Sequence, residues 1–282
     1  TLDSVNEAEV GIVFDWDNYW ALEYTSGPNV DLKYVDQIHQ YYRYFYDRNI
    51  PVNMIPFDAD FSRYKMVVAP VLYMVKAGMQ EALEEFVKNG GVLVTTYMSG
   101  IVDQSDNVYL GGYPGVLSKM AGVWVEEIDA LAPEQENTVI FEDGDSAPGR
   151  LVCDIIHLRG AKCIGRYGQD FYEESPAVTK NRCGNGSVYY MGTQMDKEGI
   201  AKVLDMAAED VSVKPVIEEK TGLEITCRKK DGYRYYFVMN FKDEDLEIPS
   251  CFAGNTDLLT GESVKSGEML SKFDVKIIRT EE

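Results

Sequence analysis

Histidine is nearly missing from this sequence: there are two in 282 residues, His39 and His157. Cysteine is scarce as well. The five, Cys153, Cys163, Cys183, Cys227 and Cys251, form no CxxC pair. These shortages exclude a zinc site built on the usual Cys and His spacings. An odd number of dispersed cysteines suits free, mostly buried thiols in a reducing compartment. Basic residues are outnumbered, 27 against 47 acids, for a formal charge of −20. Nucleic acid and anionic membrane both require basic patches, so neither is expected as a partner. No apolar run reaches the roughly 18 residues that suggest a membrane-spanning helix, and no signal peptide is evident. The chain starts at Thr1, not methionine, and its polar lead TLDSVNEAE reads as the cut end of something longer. A cytoplasmic location is the expectation.

What is present is an ordinary composition for a folded chain, 45% hydrophobic and 26% charged, with length enough for a large core and a smaller appendage. The clearest pattern is Tyr64–Gly100. Met66–Ala69 is an apolar run of strand length that stops at Pro70. Past Ala77 the period changes: Met79, Ala82, Leu83, Phe86 and Val87 form one helical stripe. Gly90 and Gly91 end that helix, since glycine takes the left-handed cap without a Cβ clash. Val92–Thr96 is a β-branched run suited to a strand buried on both faces. This is a βαβ unit with a right-handed crossover. In such sheets function gathers at the C-terminal ends of the strands, here Pro70–Tyr73 and Tyr97–Gly100.

Glu9–Phe14 reads as a first strand, ending in the unusual stretch Asp15-Trp16-Asp17-Asn18-Tyr19-Trp20. Asp31–Arg48 follows as a helix with Val35, Ile38, Tyr42 and Phe45 on one face. Its surplus tyrosines suit either large side chains over a sheet or a second buried surface such as a subunit contact. Pro51–Ile55 is a short second strand. Gly111–Gly115 is no phosphate loop, because no Lys-Ser/Thr follows and Pro114 removes an amide. Val123–Ile128, Thr138–Phe141, Leu151–Ile156, Ala161–Gly165 and Ala177–Lys180 are further strand-like runs, and Asn185-Gly186 predicts a hairpin into Ser187–Met191. Asp196 is placed to cap a helix over Lys197–Ala208, with Ile200, Val203, Leu204 and Ala207 inward. From Leu223 the helical period is gone. Short strands alternate with turns, including Asp231-Gly232, which predicts a compact antiparallel domain of about 70 residues.

Candidate chemistry is sparse. The α/β layout resembles the class I glutamine amidotransferases, a flavodoxin-like, mostly parallel sheet flanked by helices. Gly192-Thr193-Gln194-Met195-Asp196-Lys197-Glu198 is similar to that family's Gly-x-Gln-x-His-x-Glu, with Asp196 in place of histidine and Glu198 retained. The position for the nucleophile, at the end of the strand near Thr96, holds no cysteine. Without thiolate and imidazole there is no activated nucleophile. A hydrolase using Thr96 or Ser99 lacks a base, because neither histidine lies near a strand end. Glycoside hydrolysis needs two carboxylates, about 5 Å apart for retention. Acids are too abundant here for pairing to be informative, and Asn6-Glu7 lies in the polar lead. Asp15 and Asp17 beside Trp16 and Trp20 form the best local constellation, either for sugar binding or as a helix cap with packed indoles.

Longer stretches carry a stronger likeness. VGIVFDWDNYWALE (10–23), YKMVVAPVLYMVKAG (64–78), FVKNGGVLVTTYMSGIVD (86–103), LGGYPGVLSKMAGVWVEEIDAL (110–131) and DLLTGE (257–262) closely resemble the C-terminal half of family 42 β-galactosidases. The resemblance implies a parent, a cytosolic retaining β-galactosidase, whose preceding barrel holds both catalytic glutamates. It implies a residual linker over 1–9, an amidotransferase-like trimerisation domain over 10–212 and a β-sandwich-like domain over 215–282. No position here matches a catalytic glutamate, so no catalytic residue is assigned, and no metal or cofactor is implied. The implied partners are two further copies, the missing barrel, and a β-galactoside bound by the parent. Trp16, Trp20 and Tyr97 are the implied wall of a neighbouring subunit's pocket. The alternative is a free-standing carbohydrate-binding or scaffold protein with a degenerate amidotransferase-like fold.

Overall fold

The structure, a computed structural model, describes residues 2–25, 27–219 and 221–281. It divides into two compact units. The larger comprises Val10–Tyr44 and Asn53–Val213; the smaller comprises Thr1–Glu9, Phe45–Val52 and Lys214–Glu282. Thr1, Lys220 and Glu282, which fall within the expected ranges 1–9 and 215–282, lie outside the described residues.

The elements up to the end of the larger unit are β1 (Val10–Val13), α1 (Trp16–Tyr24), α2 (Tyr34–Tyr46), β2 (Val52–Ile55), β3 (Met66–Ala69), α3 (Met79–Lys88), β4 (Val92–Thr96), α4 (Ser118–Ala121), β5 (Val123–Ala130), β6 (Asn137–Phe141), β7 (Ser146–Leu158), β8 (Lys162–Tyr167), β9 (Pro176–Cys183), β10 (Gly186–Met191), β11 (Thr193–Met195) and α5 (Lys197–Asp210). The strands form one eleven-stranded sheet in the order β11-β7-β6-β8-β9-β10-β4-β3-β1-β2, with β5 beside β7. β10, β4, β3 and β1 run parallel. From β10 outward through β9, β8, β6 and β7 to β11 and β5 every pairing is antiparallel.

The expected mostly parallel sheet is therefore corrected to a mixed one. Parallel neighbours need a crossover of about a dozen residues or more, whereas a tight turn permits only antiparallel pairing. The β9–β10 hairpin is such a turn. It runs through Gly184-Asn185, because Cys183 pairs with Gly186. The expected Asn185-Gly186 turn is thus displaced by one residue, and the left-handed φ of +61° falls on Gly184. Gly186 serves another end: a Cβ there would lie 2.1 Å from the carbonyl oxygen of Gly91 and 2.3 Å from that of Val87.

The βαβ unit forms as its pattern predicts. α3 places Met79, Leu83, Phe86 and Val87 in one apolar cluster with Val67, Ala69, Leu93 and Val188 of the parallel strands. All five residues of β4 are buried. α5 also contacts β4, and its Ile200, Val203, Leu204 and Ala207 are buried outside that cluster. The parallel strands are thus covered on both faces. In α2 the buried set is Tyr34, Gln37, Ile38, Tyr41, Tyr44 and Phe45, while Tyr42, expected inward, is 38% exposed. The stripe is phased on 34, 38, 41 and 45, which leaves 42 on its flank. All five thiols are free, but only Cys153 is buried and Cys251 is exposed, so the mostly buried expectation is also corrected.

The smaller unit holds β12 (Glu224–Lys230), β13 (Tyr233–Met239), β14 (Leu246–Glu247), β15 (Thr256–Asp257), β16 (Met269–Leu270) and β17 (Val275–Glu281). Two antiparallel sheets form, β12-β13-β17-β15 and β14-β16. Asp231 (φ +54°) and Gly232 (φ +76°) make the two-residue turn between β12 and β13. Ile225, Tyr236, Val238, Phe252 and Ile278 are central to its core. Val5 bridges Lys229, and Arg228 donates to Ser4, so the leading residues lie along β12.

Candidate functional site

At the end of β1 the chain turns into α1, and the cause is local. Asp15 is extended (φ −133°), and its carboxylate accepts the Asp17 amide at 3.2 Å, capping the helix. α1 then carries Trp16 and Trp20 on one side, ring centroids 6.2 Å apart, 59% and 52% exposed. Phe14 and Tyr19 meet Trp16 edge-on at 5.0 and 6.0 Å. Of the two expected outcomes for this stretch, the helix cap is present, but the indoles are not packed away. The acid caps a helix, and the indoles stay at the surface, where their flat faces can stack on a sugar ring.

Lys76, in the loop between β3 and α3, reaches this turn. Its Nζ sits astride the Asp15 carboxylate, 2.9 Å from Oδ1 and 2.8 Å from Oδ2, and 2.6 Å from Asp17 Oδ2. It also lies 4.1 Å from the centre of the Phe57 ring. Burial pulls the ammonium pKa down, but the two carboxylates outweigh it and the net shift is upward. Lys76 is thus a charged, largely buried group. Asp17, half exposed, leaves oxygen surface beside the indoles for a hydroxyl donor. Asn18 is fully buried: its amide donates to the Val71 carbonyl at 3.1 Å and its oxygen accepts the Met74 amide at 2.8 Å.

The other expected residues lie elsewhere. Tyr97 is wholly buried and its hydroxyl donates to Gln37, so within this chain it presents no surface to a ligand. Burial and the neighbouring Tyr41 and Asp154 raise its phenol pKa. Thr96 closes β4, where its hydroxyl accepts the Val71 amide at 2.8 Å. Ser99 accepts the Leu72 amide at 3.1 Å. The left-handed turn after β4 falls on Met98, at φ +56°. Asp196 caps α5 by accepting the Gly199 amide at 2.9 Å, and Glu198 is exposed beside Lys197. His157 pairs with Glu126 across β5 and β7 at 2.7 Å. Among the described residues, no group of three His, Cys, Asp or Glu side chains is arranged to hold a metal ion, and no helix is long and apolar enough to cross a membrane.

A buried polar group went unanticipated. Asp154 of β7 is 1% exposed; the Tyr190 hydroxyl donates to its Oδ2 at 2.6 Å, and its Oδ1 has no hydrogen-bond partner. Burial lifts its carboxyl to about 7, against the lowering effect of Tyr190. A lone acid inside the apolar run Val152–Ile156 was a readable signal. So was Lys76, one cation in the apolar loop LYMVKAG.

Residues 8–214 match the family described as the β-galactosidase trimerisation domain. The chain belongs to this family. Residues 222–280 match the β-galactosidase C-terminal domain, and the two together are the C-terminal part of family 42 β-galactosidases. The β-galactosidase LacZ of Lactobacillus acidophilus is 46% identical over 279 residues, 99% of this chain and 41% of that protein. BgaB of a Geobacillus species is 36% identical over 276 residues, again 41% of its length. Among solved structures, the β-galactosidase of Bacillus circulans sp. alkalophilus superposes with a TM-score of 0.94 at 40% identity, over 99% of this chain and 42% of that one. The enzyme of Rahnella sp. R3 gives 0.90 at 32% identity over the same shares. The chain thus spans about two fifths of the length of the relatives it matches. In this family member Trp16, Trp20 and Asp17 form an exposed aromatic and acidic surface after β1, with Lys76 largely buried against Asp17.

Proposed function

We propose that this chain is the assembling, non-catalytic part of a retaining β-galactosidase, supplying trimer contacts and part of the wall of a neighbouring subunit's active site. The parent would hydrolyse terminal β-D-galactose residues in the cytoplasm, with its two catalytic glutamates in a barrel domain outside this sequence. The observation that carries the reading is the pair Trp16 and Trp20. Two indoles half exposed at a strand end are costly to leave in water, and they suit a sugar ring on one side and a second protein surface on the other.

The finer fold reading is an amidotransferase-like α/β domain over 10–212, followed by a β-sandwich-like domain over 215–282, with 1–9 as linker. Asp196 stands where the amidotransferase histidine would be. Thr96, which closes β4, stands near where that family's nucleophile would be. The test is turnover of a nitrophenyl β-galactoside. The purified chain should show none. The same chain joined to a family 42 barrel should be active, and Trp16→Ala there should raise KM severalfold. Hydrolysis by the chain alone would end this proposal.

A further inference from the structure

α1 is an unusual helix to find holding a functional surface. It has nine residues, below the length that is stable without support. Asn18 is its one buried residue, so no apolar stripe fixes it to the sheet. Besides the ring contacts of Trp16 with Phe14 and of Tyr19 with Tyr34, its attachments are polar. Asp15 caps it and Asp17 lies in its first turn, and both carboxylates converge on Lys76. One turn further, Asn18 spans the loop after β3 from the Val71 carbonyl to the Met74 amide. That loop is itself over-determined. Val71 is β-branched yet sits at φ +48°, a conformation such residues seldom adopt. Its amide is held by Thr96 and its carbonyl by Asn18.

We infer that Lys76 and Asn18 are positioning residues. Together they form a polar latch between the β3–α3 loop and α1 that sets where Trp16 and Trp20 stand. Without Lys76, Asp15 would be a buried carboxylate beside Asp17 with no cation, and the N-terminus of α1 would loosen to let it reach water. Without Asn18, a buried carbonyl and a buried amide would both lose their partners. The charge can be supplied by arginine, which can bridge two carboxylates, but not by a neutral chain of similar length. The importance of the indoles rests on the wall reading above; the latch itself does not.

Hydrogen exchange read segment by segment in this chain tests the latch. In Lys76→Met, amides 19–25 should exchange about tenfold or more faster, the equivalent of one charged hydrogen bond lost. Amides of β3, β4 and α3 should keep their protection, and Lys76→Arg should restore α1. Asn18→Ala should loosen the same segment. Unchanged α1 exchange, or acceleration spread evenly over the larger unit, overturns the latch. A second arm uses a whole β-galactosidase carrying this chain as its C-terminal part. There Lys76→Met should raise KM for a nitrophenyl galactoside as Trp16→Ala does, with kcat held. Loosened α1 with unchanged KM would support the latch and overturn the wall reading. A raised KM without loosened α1 would overturn the latch.

Discussion

Asp154 should make the stability of this chain fall as pH rises towards neutrality, against the trend of the other carboxylates. In the folded state its carboxyl is held at about 7 by burial; in the unfolded chain it returns to the ordinary value near 4. The folded state therefore holds a proton that the unfolded state has released, and stability declines across that window. The contribution is complete below about pH 4 and gone above about pH 7. Each pH unit is worth about 1.4 kcal/mol, so the whole span is worth about 4 kcal/mol. No lysine, arginine or histidine pairs with Asp154 among the described residues, and the groups facing it are the phenols of Tyr97, Tyr167 and Tyr190. The perturbation is Asp154→Asn, which keeps the Tyr190 hydrogen bond and cannot ionise. Urea unfolding of both proteins from pH 5 to pH 8 measures it, starting above the isoelectric point near 4.5. The stability difference between variant and wild type should move by about 2–3 kcal/mol in the variant's favour between pH 5 and 7. A constant offset of about 1–3 kcal/mol from the new amide does not affect that slope. A difference that stays flat across the range would refute the reasoning.

Three further outcomes follow from the packing. Asp257 is buried and accepts the Leu259 and Ile277 amides, the Thr260 hydroxyl and Lys276, so Asp257→Ala should cost the smaller unit about 3 kcal/mol or more in urea unfolding. Burial pushes that carboxyl up, but these partners hold it below its usual range, so its support should be present above the ordinary carboxylate pKa and lost as pH falls through the lowered one. Gly186→Ala should destabilise by about 3 kcal/mol, since the new Cβ meets the Gly91 and Val87 carbonyls, and thermal unfolding will register it. Trp16→Ala and Trp20→Ala, at half-exposed positions, should each change stability by about 1 kcal/mol or less, which separates their role at the surface from the core.

The βαβ unit was legible because the apolar period changes there from strand to helix and glycines mark the change. Parallel and antiparallel buried strands share one signature, a β-branched apolar run, so Val123–Met191 could be read as strands without revealing their direction. α1 was invisible to periodicity for a physical reason. A helix held by Asp15, Lys76 and Asn18 leaves no apolar stripe to read. Trp16 and Trp20 stood out as a local excess of aromatics among acids, and the structure keeps them at the surface. Tyr97 was chosen by the same strand-end rule, yet it points into the core, because the turn comes one residue later, at Met98. The smaller unit followed from turn chemistry, down to the two residues Asp231 and Gly232, whereas the two-residue strands β14 and β16 are too short to carry a period.

Assembly is the central proposal, and the solution mass of the purified chain measured by light scattering tests it most directly. The mass should be about three times the 31.8 kDa of one chain. A mass of one chain across the micromolar range would contradict it, and would remove the main support for Trp16 and Trp20 as part of a neighbour's active site.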